Sequence, residues 1–281
     1  MLEFIDVKYG NSFAADFRLP EGCFCGVFGE GRTELMKLAA GILAPAEGRV
    51  LQNGLALSAA AGRRRVQYLA GSCEYFPGVS AEEAARLFEA LYPAFDRPAF
   101  EALLARADVP SRKSAARLSE RDRLMARLAL AFAAGPELLI LDGVWDRLAD
   151  PDRTLLRELL FAALEERGLT VLADFTSPEE AEKLCDRFLL LRDGRLLWEK
   201  EAWALPEEYC QAEFTGADDA RLRELAGESL LSFETLGRSR LLTLRVSEED
   251  AADRFRAAGL PPCALRPLSA AEILRREGGL R

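Results

Sequence analysis

Histidine is absent from all 281 positions of the sequence. Imidazole is the commonest general base near neutral pH and a frequent metal ligand. A Ser-His-Asp triad and every histidine metal site are therefore excluded, and any catalysis has to proceed without imidazole.

Excess positive charge and long apolar runs are also missing. With 46 acidic and 37 basic residues the chain has a formal net charge of −9, which makes nucleic acid and anionic lipid surfaces poor main partners. The first residues are charged, and no stretch reaches the roughly 18 consecutive apolar residues of a membrane-spanning helix. We expect a cytoplasmic protein that does not bind nucleic acid.

Cysteine is sparse: the six cysteines lie at positions 23, 25, 73, 185, 210 and 263. Only Cys23 and Cys25 are close together, and Cys-x-Cys on a strand is neither a zinc knuckle nor a CxxC redox motif. We expect reduced cysteines in the core.

The apolar pattern predicts an α/β protein with one large domain and one small one. Residues 2–10 alternate as a strand, and residues 22–28 (GCFCGVF) predict a buried strand that enters a glycine-rich turn. A helix is predicted over residues 34–43, with Ile42 on its apolar face. Strand, glycine loop and helix in this order are typical of a phosphate-binding cradle.

The middle of the sequence predicts a helical insert followed by a βαβ unit. Residues 66–69 predict a strand, and helical patterns fill about residues 80–135. Residues 137–143 and 169–175 are short, branched apolar runs, which favour strands buried on both faces, with a helix between them.

The last third of the sequence predicts a separate small domain. A hairpin turns at Asp193 and Gly194, and residues 201–209 (EAWALPEEY) read as a linker. The order after it, β-α-β-β-α-β, is typical of a ferredoxin-like α+β domain. We therefore predict domains at 1–205 and 206–281.

Residues 26–33 (GVFGEGRT) fit the spacing of the phosphate-binding motif GxxxxGK(S/T), with Arg32 where the lysine belongs. The motif needs backbone N–H groups around the phosphates, an ammonium on the β and γ phosphates and a hydroxyl on magnesium. A planar guanidinium need not fit the ammonium position, and Glu30 and Glu34 add negative charge. The cradle is therefore expected to be impaired; the alternative is that these are only turn glycines before a helix.

Several segments occur in one order: GVFGEGRTELMKLAAGIL, VQYLAGSCEYFPGVS, LSERDRLMARLALAFAAGPELLILDG, LADP and TVLADFTSPEEAEKLCDR. Together they resemble the ATP-binding cassette (ABC) ATPase family over about residues 1–200. The resemblance implies a P-loop NTPase-like fold with a helical subdomain, and ATP with Mg²⁺ as ligands.

Position by position, the resemblance implies a nucleotide site with replaced residues. Tyr9 matches the aromatic residue that stacks on adenine. On the family alignment Gly29 opens the phosphate loop and Gly31 follows, whereas the spacing alone starts the loop at Gly26. Arg32 replaces the lysine and Thr33 is the magnesium hydroxyl; the loop is about three residues shorter than in the family.

The catalytic positions are also replaced. Asp142 matches the magnesium-supporting Walker B aspartate, but Gly143 stands at the catalytic glutamate. Gly71 stands at the glutamine that senses the γ-phosphate, and Thr176 at the switch histidine. Asp146 and Asp174 are the alternatives for a substitute base.

The signature LSGGQ corresponds to Leu118-Ser119-Glu120-Arg121-Asp122, in which Ser119 is retained. In the family its glycines let a helix N-terminus approach the γ-phosphate of the partner subunit. Here Glu120 would place an acid opposite an anion.

The stretch from residue 75 to 95 occupies the place where such domains receive the coupling helix of a membrane subunit. It offers an apolar set for this contact: Tyr75, Phe76, Phe88, Leu91 and Tyr92. The alternative is that this set is helical core.

These observations predict a degenerate ATP-binding subunit of an ABC exporter, because the C-terminal segment PLSAAEILRREG resembles that of exporter ATPase chains. It would bind ATP and Mg²⁺ weakly or not at all. Its expected partners are a membrane-spanning subunit, which holds it at the cytoplasmic face, and a second ATPase chain in a homo- or heterodimer. The alternatives are an active ATPase with a variant P-loop and a non-catalytic regulatory module.

Overall fold

The structure is a computed structural model that describes residues 1–10, 12–72 and 78–279. The chain divides into two compact units, Met1–Thr176 with Leu191–Leu197 and Ser177–Leu190 with Trp198–Arg281. The boundary expected between residues 205 and 206 falls inside the second unit. The linker interpretation is wrong, because Leu205 and Tyr209 are almost completely buried.

The larger sheet contains ten strands among the described residues, and all but β9 and β10 lie wholly in the first unit. They run in the spatial order β5-β4-β1-β2-β10-β9-β3-β8-β7-β6. Their bounds are β1 Leu2–Tyr9, β2 Phe13–Leu19, β3 Phe24–Gly29, β4 Glu47–Gln52, β5 Leu55–Ala56, β6 Val66–Ala70, β7 Leu138–Asp142, β8 Thr170–Asp174, β9 Arg187–Arg192 and β10 Arg195–Glu201.

Strands β3, β8, β7 and β6 are parallel neighbours, and most of their residues are buried, as the continuous apolar runs predict. Their carboxyl ends therefore share one edge of the sheet. Gly29, Asp174, Asp142 and Ala70 end these four strands. In open α/β sheets this edge is where ligands bind.

Among the described residues, the first unit contains six α-helices: α1 Arg32–Ala39, α2 Ala60–Arg63, α3 Ala81–Leu91, α4 Arg97–Arg106, α5 Glu120–Ala133 and α6 Asp150–Arg167. Helices α3–α5 form the predicted helical insert. Strands β1–β8 with α1, α2, α6 and the short 3₁₀ helix Trp145–Arg147 between β7 and α6 are called the core below. Helix α1 ends earlier than predicted, because Gly41 adopts a left-handed backbone (φ +66°). Ile42 consequently lies beyond the helix and is 56% exposed.

The second unit contains α7 Pro178–Glu182, α8 Leu205–Glu208, β11 Cys210–Thr215, α9 Asp219–Ala226, β12 Leu230–Leu236, β13 Ser239–Leu244, α10 Glu248–Ala257, β14 Ala264–Pro267 and α11 Ala270–Gly278. Its antiparallel sheet has the order β12-β13-β11-β14. This is the ferredoxin-like arrangement that the element order predicts. Phe214 and Phe255 meet edge to face in its core, with ring centroids 5.0 Å apart.

Most of the described cysteines lie in the core, as predicted. Cys23, Cys25, Cys185 and Cys210 are buried, Cys263 is half-buried, and none of these five is in a disulfide. Their reduced state stays a prediction. Across the described ranges, no helix has both the length and the apolar content that crossing a membrane requires.

Candidate nucleotide site

The turn between β3 and α1 is short and tightly packed. Only Glu30 and Gly31 separate the last residue of β3 from the first residue of α1. A Cβ atom on Gly29 would lie 1.8 Å from the carbonyl oxygen of Leu191, and one on Gly31 would lie 2.9 Å from the Cα of Gly194. Both glycines have positive φ, 93° and 94°. They are needed for this packing, which leaves no open loop.

Gly26 is not a loop residue, so the interpretation from spacing alone is wrong. It lies inside β3, where it is paired with Ala173 of β8. The family alignment, in which Gly29 follows the strand, agrees with the observed end of β3.

Arg32 turns toward the neighbouring strand. Its Nε donates a hydrogen bond to Oδ2 of Asp174 at 3.2 Å, and its Nη1 donates to the carbonyl oxygen of Gly29 at 3.3 Å. Arg32 remains 47% exposed, whereas the Asp174 side chain is only 10% exposed. The guanidinium is therefore held by a carboxylate of the protein itself.

Asp174 is the hub of this contact. Its second oxygen, Oδ1, accepts the backbone N–H of Gly143 at 2.6 Å. Burial raises the pKa of Asp174; the Asp142 charge acts in the same direction, and the contacts with Gly143 and Arg32 oppose it. Both oxygens of this carboxylate already have partners, which disfavours Asp174 as a substitute base.

Asp142 keeps the position expected of a Walker B aspartate, at the end of β7. Its Oδ2 accepts the hydroxyl of Tyr68 at 2.5 Å. Thr33 is half-buried in the first turn of α1, and its hydroxyl has no hydrogen-bond partner among the residues that the structure describes. Tyr68 was not predicted, because a tyrosine inside an apolar strand gives no sequence signal of its own.

The turn between β3 and α1 does not fit the triphosphate that the resemblance implies, whereas Thr33 and Asp142, the residues implied for Mg²⁺, are in place at the start of α1 and the end of β7. A phosphate cradle needs several convergent N–H groups and a free cation. Here only two residues separate β3 from α1, and the guanidinium of Arg32 is paired with the carboxylate of Asp174.

Gly71 and Gly143 touch each other, and they differ in the space around them. A Cβ on Gly71 would lie 2.2 Å from the carbonyl oxygen of Gly143 and 2.7 Å from Cδ of Arg147. A Cβ on Gly143 would meet nothing within 4 Å, but the residue has a φ of +63° that strains other side chains. A glutamine therefore cannot be accommodated at 71 without rearrangement.

Thr176 and Asp146 bind each other. The backbone N–H and the hydroxyl of Thr176 both donate to Oδ2 of Asp146, at 3.1 and 2.5 Å. Asp146, the other alternative for a substitute base, is therefore also hydrogen-bonded. Its partner, Thr176, is the residue that stands at the switch histidine.

The signature segment is built into the fold. Ser119 is the N-cap of α5 and accepts the N–H of Asp122 at 3.0 Å. Glu120 pairs with Arg147 at 2.6 Å, and Arg121 pairs with Asp152 at 2.6 Å. Neither arginine contact could be predicted, since the partners lie 27 and 31 residues away.

Tyr9 ends β1, half-buried, and is paired across the sheet with Phe13. Its stacking on adenine stays a prediction.

The expected docking set lies only partly on the surface. Tyr75 and Phe76 lie outside the described residues. Phe88 is only 6% exposed and packs against Tyr92, with ring centroids 5.2 Å apart, so its assignment to a docking groove is wrong. Leu91, with Leu87 one turn earlier, is exposed on α3 (55% and 46%).

The sequence matches a family model described as ABC transporter over residues 15–144. The Nod factor export ATP-binding protein I of Bradyrhizobium diazoefficiens is 30% identical over 245 residues, which cover 81% of this chain and 78% of that protein. The Fe(3+) ions import ATP-binding protein FbpC of Streptomyces coelicolor is 31% identical over 233 residues, which cover 74% of this chain and 62% of that protein. The chain thus spans less than two thirds of this second relative.

The fold of the chain is also similar to that of a solved ATP-binding cassette. The dimeric structure of a post-hydrolysis state of the ATP-binding cassette MJ0796 bound to ADP and Pi superposes with a TM-score of 0.62 at 19% identity, covering 72% of this chain and 98% of the other. The sequence and the fold agree: this chain belongs to the family of ABC transporter ATP-binding proteins.

Proposed function

We propose that this chain is an ABC transporter subunit of the exporter type that binds ATP and Mg²⁺ weakly or not at all and hydrolyses ATP poorly. The observation that carries the proposal is the network of Arg32, Asp174 and Gly143 at the carboxyl ends of β3, β8 and β7. For the Nε of Arg32 to turn to a phosphate, it would have to give up its hydrogen bond to the buried Asp174 carboxylate, which would then face Asp142 and the incoming anion with only the N–H of Gly143 as a donor. The electrostatic cost opposes nucleotide binding.

Catalysis is opposed by the same residues. Gly143 and Gly71 provide no side chain, and Asp146 and Asp174 are held by Thr176 and by the Arg32 network. Removing one well-placed transition-state donor typically lowers a rate by about 10²–10³. Several such losses together leave little hydrolysis.

The exporter type is supported by the extent of the similarity. The alignment with the Nod factor export protein covers 81% of this chain, compared with 74% for the iron import protein. The membrane-spanning partner would dock on the exposed Leu87 and Leu91 of α3, and a second ABC chain would complete a dimer. Through this partner the chain would lie at the cytoplasmic face of the membrane.

An active ATPase is the second candidate, favoured by one observation. A Cβ added at Gly143 would meet no heavy atom of the described residues within 4 Å, which leaves this side of the strand end open to a water molecule. In this case turnover of Mg²⁺-ATP would be measurable and would be abolished by Asp142→Asn.

Titration with N-methylanthraniloyl-ATP, with and without Mg²⁺, tests the proposal. We expect no saturation up to millimolar nucleotide and no turnover in either the parent chain or Asp142→Asn. Arg32→Lys, which restores the ammonium, should also fail to saturate because the loop remains short. Sub-micromolar binding by the parent chain would overturn the proposal, and binding only by Arg32→Lys would show that the guanidinium alone blocks the site.

The proposed docking of a membrane-spanning subunit on α3 has its own test. Leu91→Asp should abolish co-purification of a membrane-spanning subunit from membranes of the source cells, whereas Ala90→Asp, at the exposed neighbouring position, should not. A chain that co-purifies with no membrane subunit, whatever residue stands at 91, would favour the regulatory-module alternative.

A further inference from the structure

The polar side chains of the signature segment, residues 119–122, are all directed to partners inside the chain. Ser119 caps α5, and Asp122 accepts a hydrogen bond from Arg121 at 3.1 Å. Glu120 and Arg121 instead reach residues of the core. Because these side chains are hydrogen-bonded or ion-paired within the chain, few of their polar groups remain available to a ligand.

Arg121 joins three helices. Its Nε and Nη2 donate parallel hydrogen bonds to the two oxygens of Asp152 on α6, at 2.9 and 2.6 Å. Its Nη1 donates to the carbonyl oxygen of Ala107 at 2.7 Å, directly after α4. The side chain of Asp152 is only 7% exposed. Two-point arginine–carboxylate pairs of this kind fix orientation as well as distance, and this pair raises the pKa of Arg121 further.

Arg147 makes a second connection between the core and the insert. Its Cδ and Nε lie 2.7 and 2.8 Å from the point that a Cβ of Gly71 would occupy, so the side chain covers that glycine. Its Nη1 then donates to Oε1 of Glu120, at 2.6 Å. The side chain of Arg147 thus lies where the first carbon of a side chain at 71 would be, and its guanidinium contacts α5.

A third connection lies on the surface. Arg106 at the end of α4 pairs with Glu158 of α6 at 2.8 Å. The side chains of this pair are 53% and 58% exposed, and those of the Arg147–Glu120 pair are 43% and 70% exposed; such exposed pairs are individually weak. The connection at Asp152 is the strong one, because its carboxylate is buried and has two direct hydrogen bonds from Arg121.

We infer that Arg121–Asp152, supported by Arg147–Glu120, forms an internal clamp that holds the helical insert on the core in one orientation without nucleotide. The inference rests on the proposed function and extends it: a subunit that lacks the ligand keeps the exposed face of α3 in a fixed place by its own ion pairs. Arg121 and Arg147 act as positioning residues through the helices that they connect.

Distance measurement between the insert and the core tests the clamp in the full chain. Because the chain has six cysteines, nitroxides would be attached through p-acetylphenylalanine at the exposed positions 101 on α4 and 165 on α6. Double electron–electron resonance should give one narrow distance in the parent chain, unchanged by Mg²⁺-ATP. Asp152→Asn should broaden the distribution, and amides 120–124 should exchange at least about tenfold faster.

A charge exchange separates positioning from general destabilisation. Arg147→Glu and Glu120→Arg should each broaden the distribution, and the double variant should restore the parent width. The matched control is Arg86→Glu, because Arg86 pairs with Glu82 within α3 and does not reach the core. Circular dichroism identifies a variant that fails to fold. In that case the double variant with the exchanged charges is compared with the parent chain.

The outcomes distinguish a failure of the clamp from a failure of the proposed function. A distribution that stays narrow in folded Asp152→Asn and in Arg147→Glu overturns the clamp and leaves the proposed function in place. A saturable change of distance on adding Mg²⁺-ATP to the parent chain overturns the proposed function, and with it the claim that the orientation is independent of nucleotide.

Discussion

Two arginine–aspartate pairs of the first unit each contain an arginine that the resemblance aligns with a different family residue, and the two pairs differ in strength. Arg121 binds both oxygens of Asp152 and a backbone carbonyl oxygen, whereas Arg32 reaches one oxygen of Asp174 at 3.2 Å. Burial also raises the pKa of Asp174, and the contact with Arg32 only opposes this effect. The first pair holds helices together, and the second mainly neutralises a charge at a strand edge.

The largest expected effect comes from removing the stronger pair. Arg121→Ala leaves the buried Asp152 carboxylate without a cation, which should lower the free energy of unfolding by about 2–3 kcal/mol. Urea denaturation followed by circular dichroism measures this difference. Arg106→Ala is the control: its exposed pair with Glu158 should change stability by less than about 1 kcal/mol. Equal effects of the two substitutions would contradict the role assigned to burial.

The weaker pair should give a smaller loss. Arg32→Ala leaves Asp174 with the N–H of Gly143 as a remaining donor. Because this donor remains and Arg32 is half exposed, we expect a loss of about 1 kcal/mol near neutral pH. The same urea experiment checks it. A loss as large as that of Arg121→Ala would remove the distinction between the two pairs.

The smallest effect is a pH dependence specific to Asp174. Burial raises its folded pKa, so the folded state binds this proton more tightly than the unfolded state. The contribution of Asp174 to the free energy of unfolding therefore decreases as pH rises from its usual value of 3.8 through its folded pKa, and is then constant. The difference in stability between the parent chain and Asp174→Asn should follow this slope, as measured by thermal unfolding across mildly acidic pH. A difference that grows in the opposite direction would show that Arg32 outweighs burial.

Local pattern was enough to predict much of the fold. The buried strands β3, β7 and β8, the turn at Asp193 and Gly194, and the ferredoxin-like order all follow from apolar periodicity and turn residues. The prediction failed where two patterns compete. Ile42 fits the apolar face of α1, but Gly41 ends the helix before it.

The positions of the candidate site were predictable, but its contacts were not. Chain order placed Arg32 at the start of the helix after β3, and Asp142 and Gly143 at the end of β7. Nothing in the sequence pairs Arg32 with Asp174, which lies 142 residues away, because any of several acids has equal charge. Phe88 shows the same limit, since helical periodicity identifies an apolar face but does not say whether it meets the core or a partner.

The close approach at Gly71 limits which side chains this position can take. A backbone carbonyl lies 2.2 Å from the first carbon that any replacement would add, and a carbonyl cannot swing away as a flexible chain end can. A glutamine introduced at 71 therefore requires that Gly143 and Arg147 move as well. An attempt to build a γ-phosphate sensor into this chain would have to begin with substitutions at 143 and 147, and the glutamine itself could not be the first step.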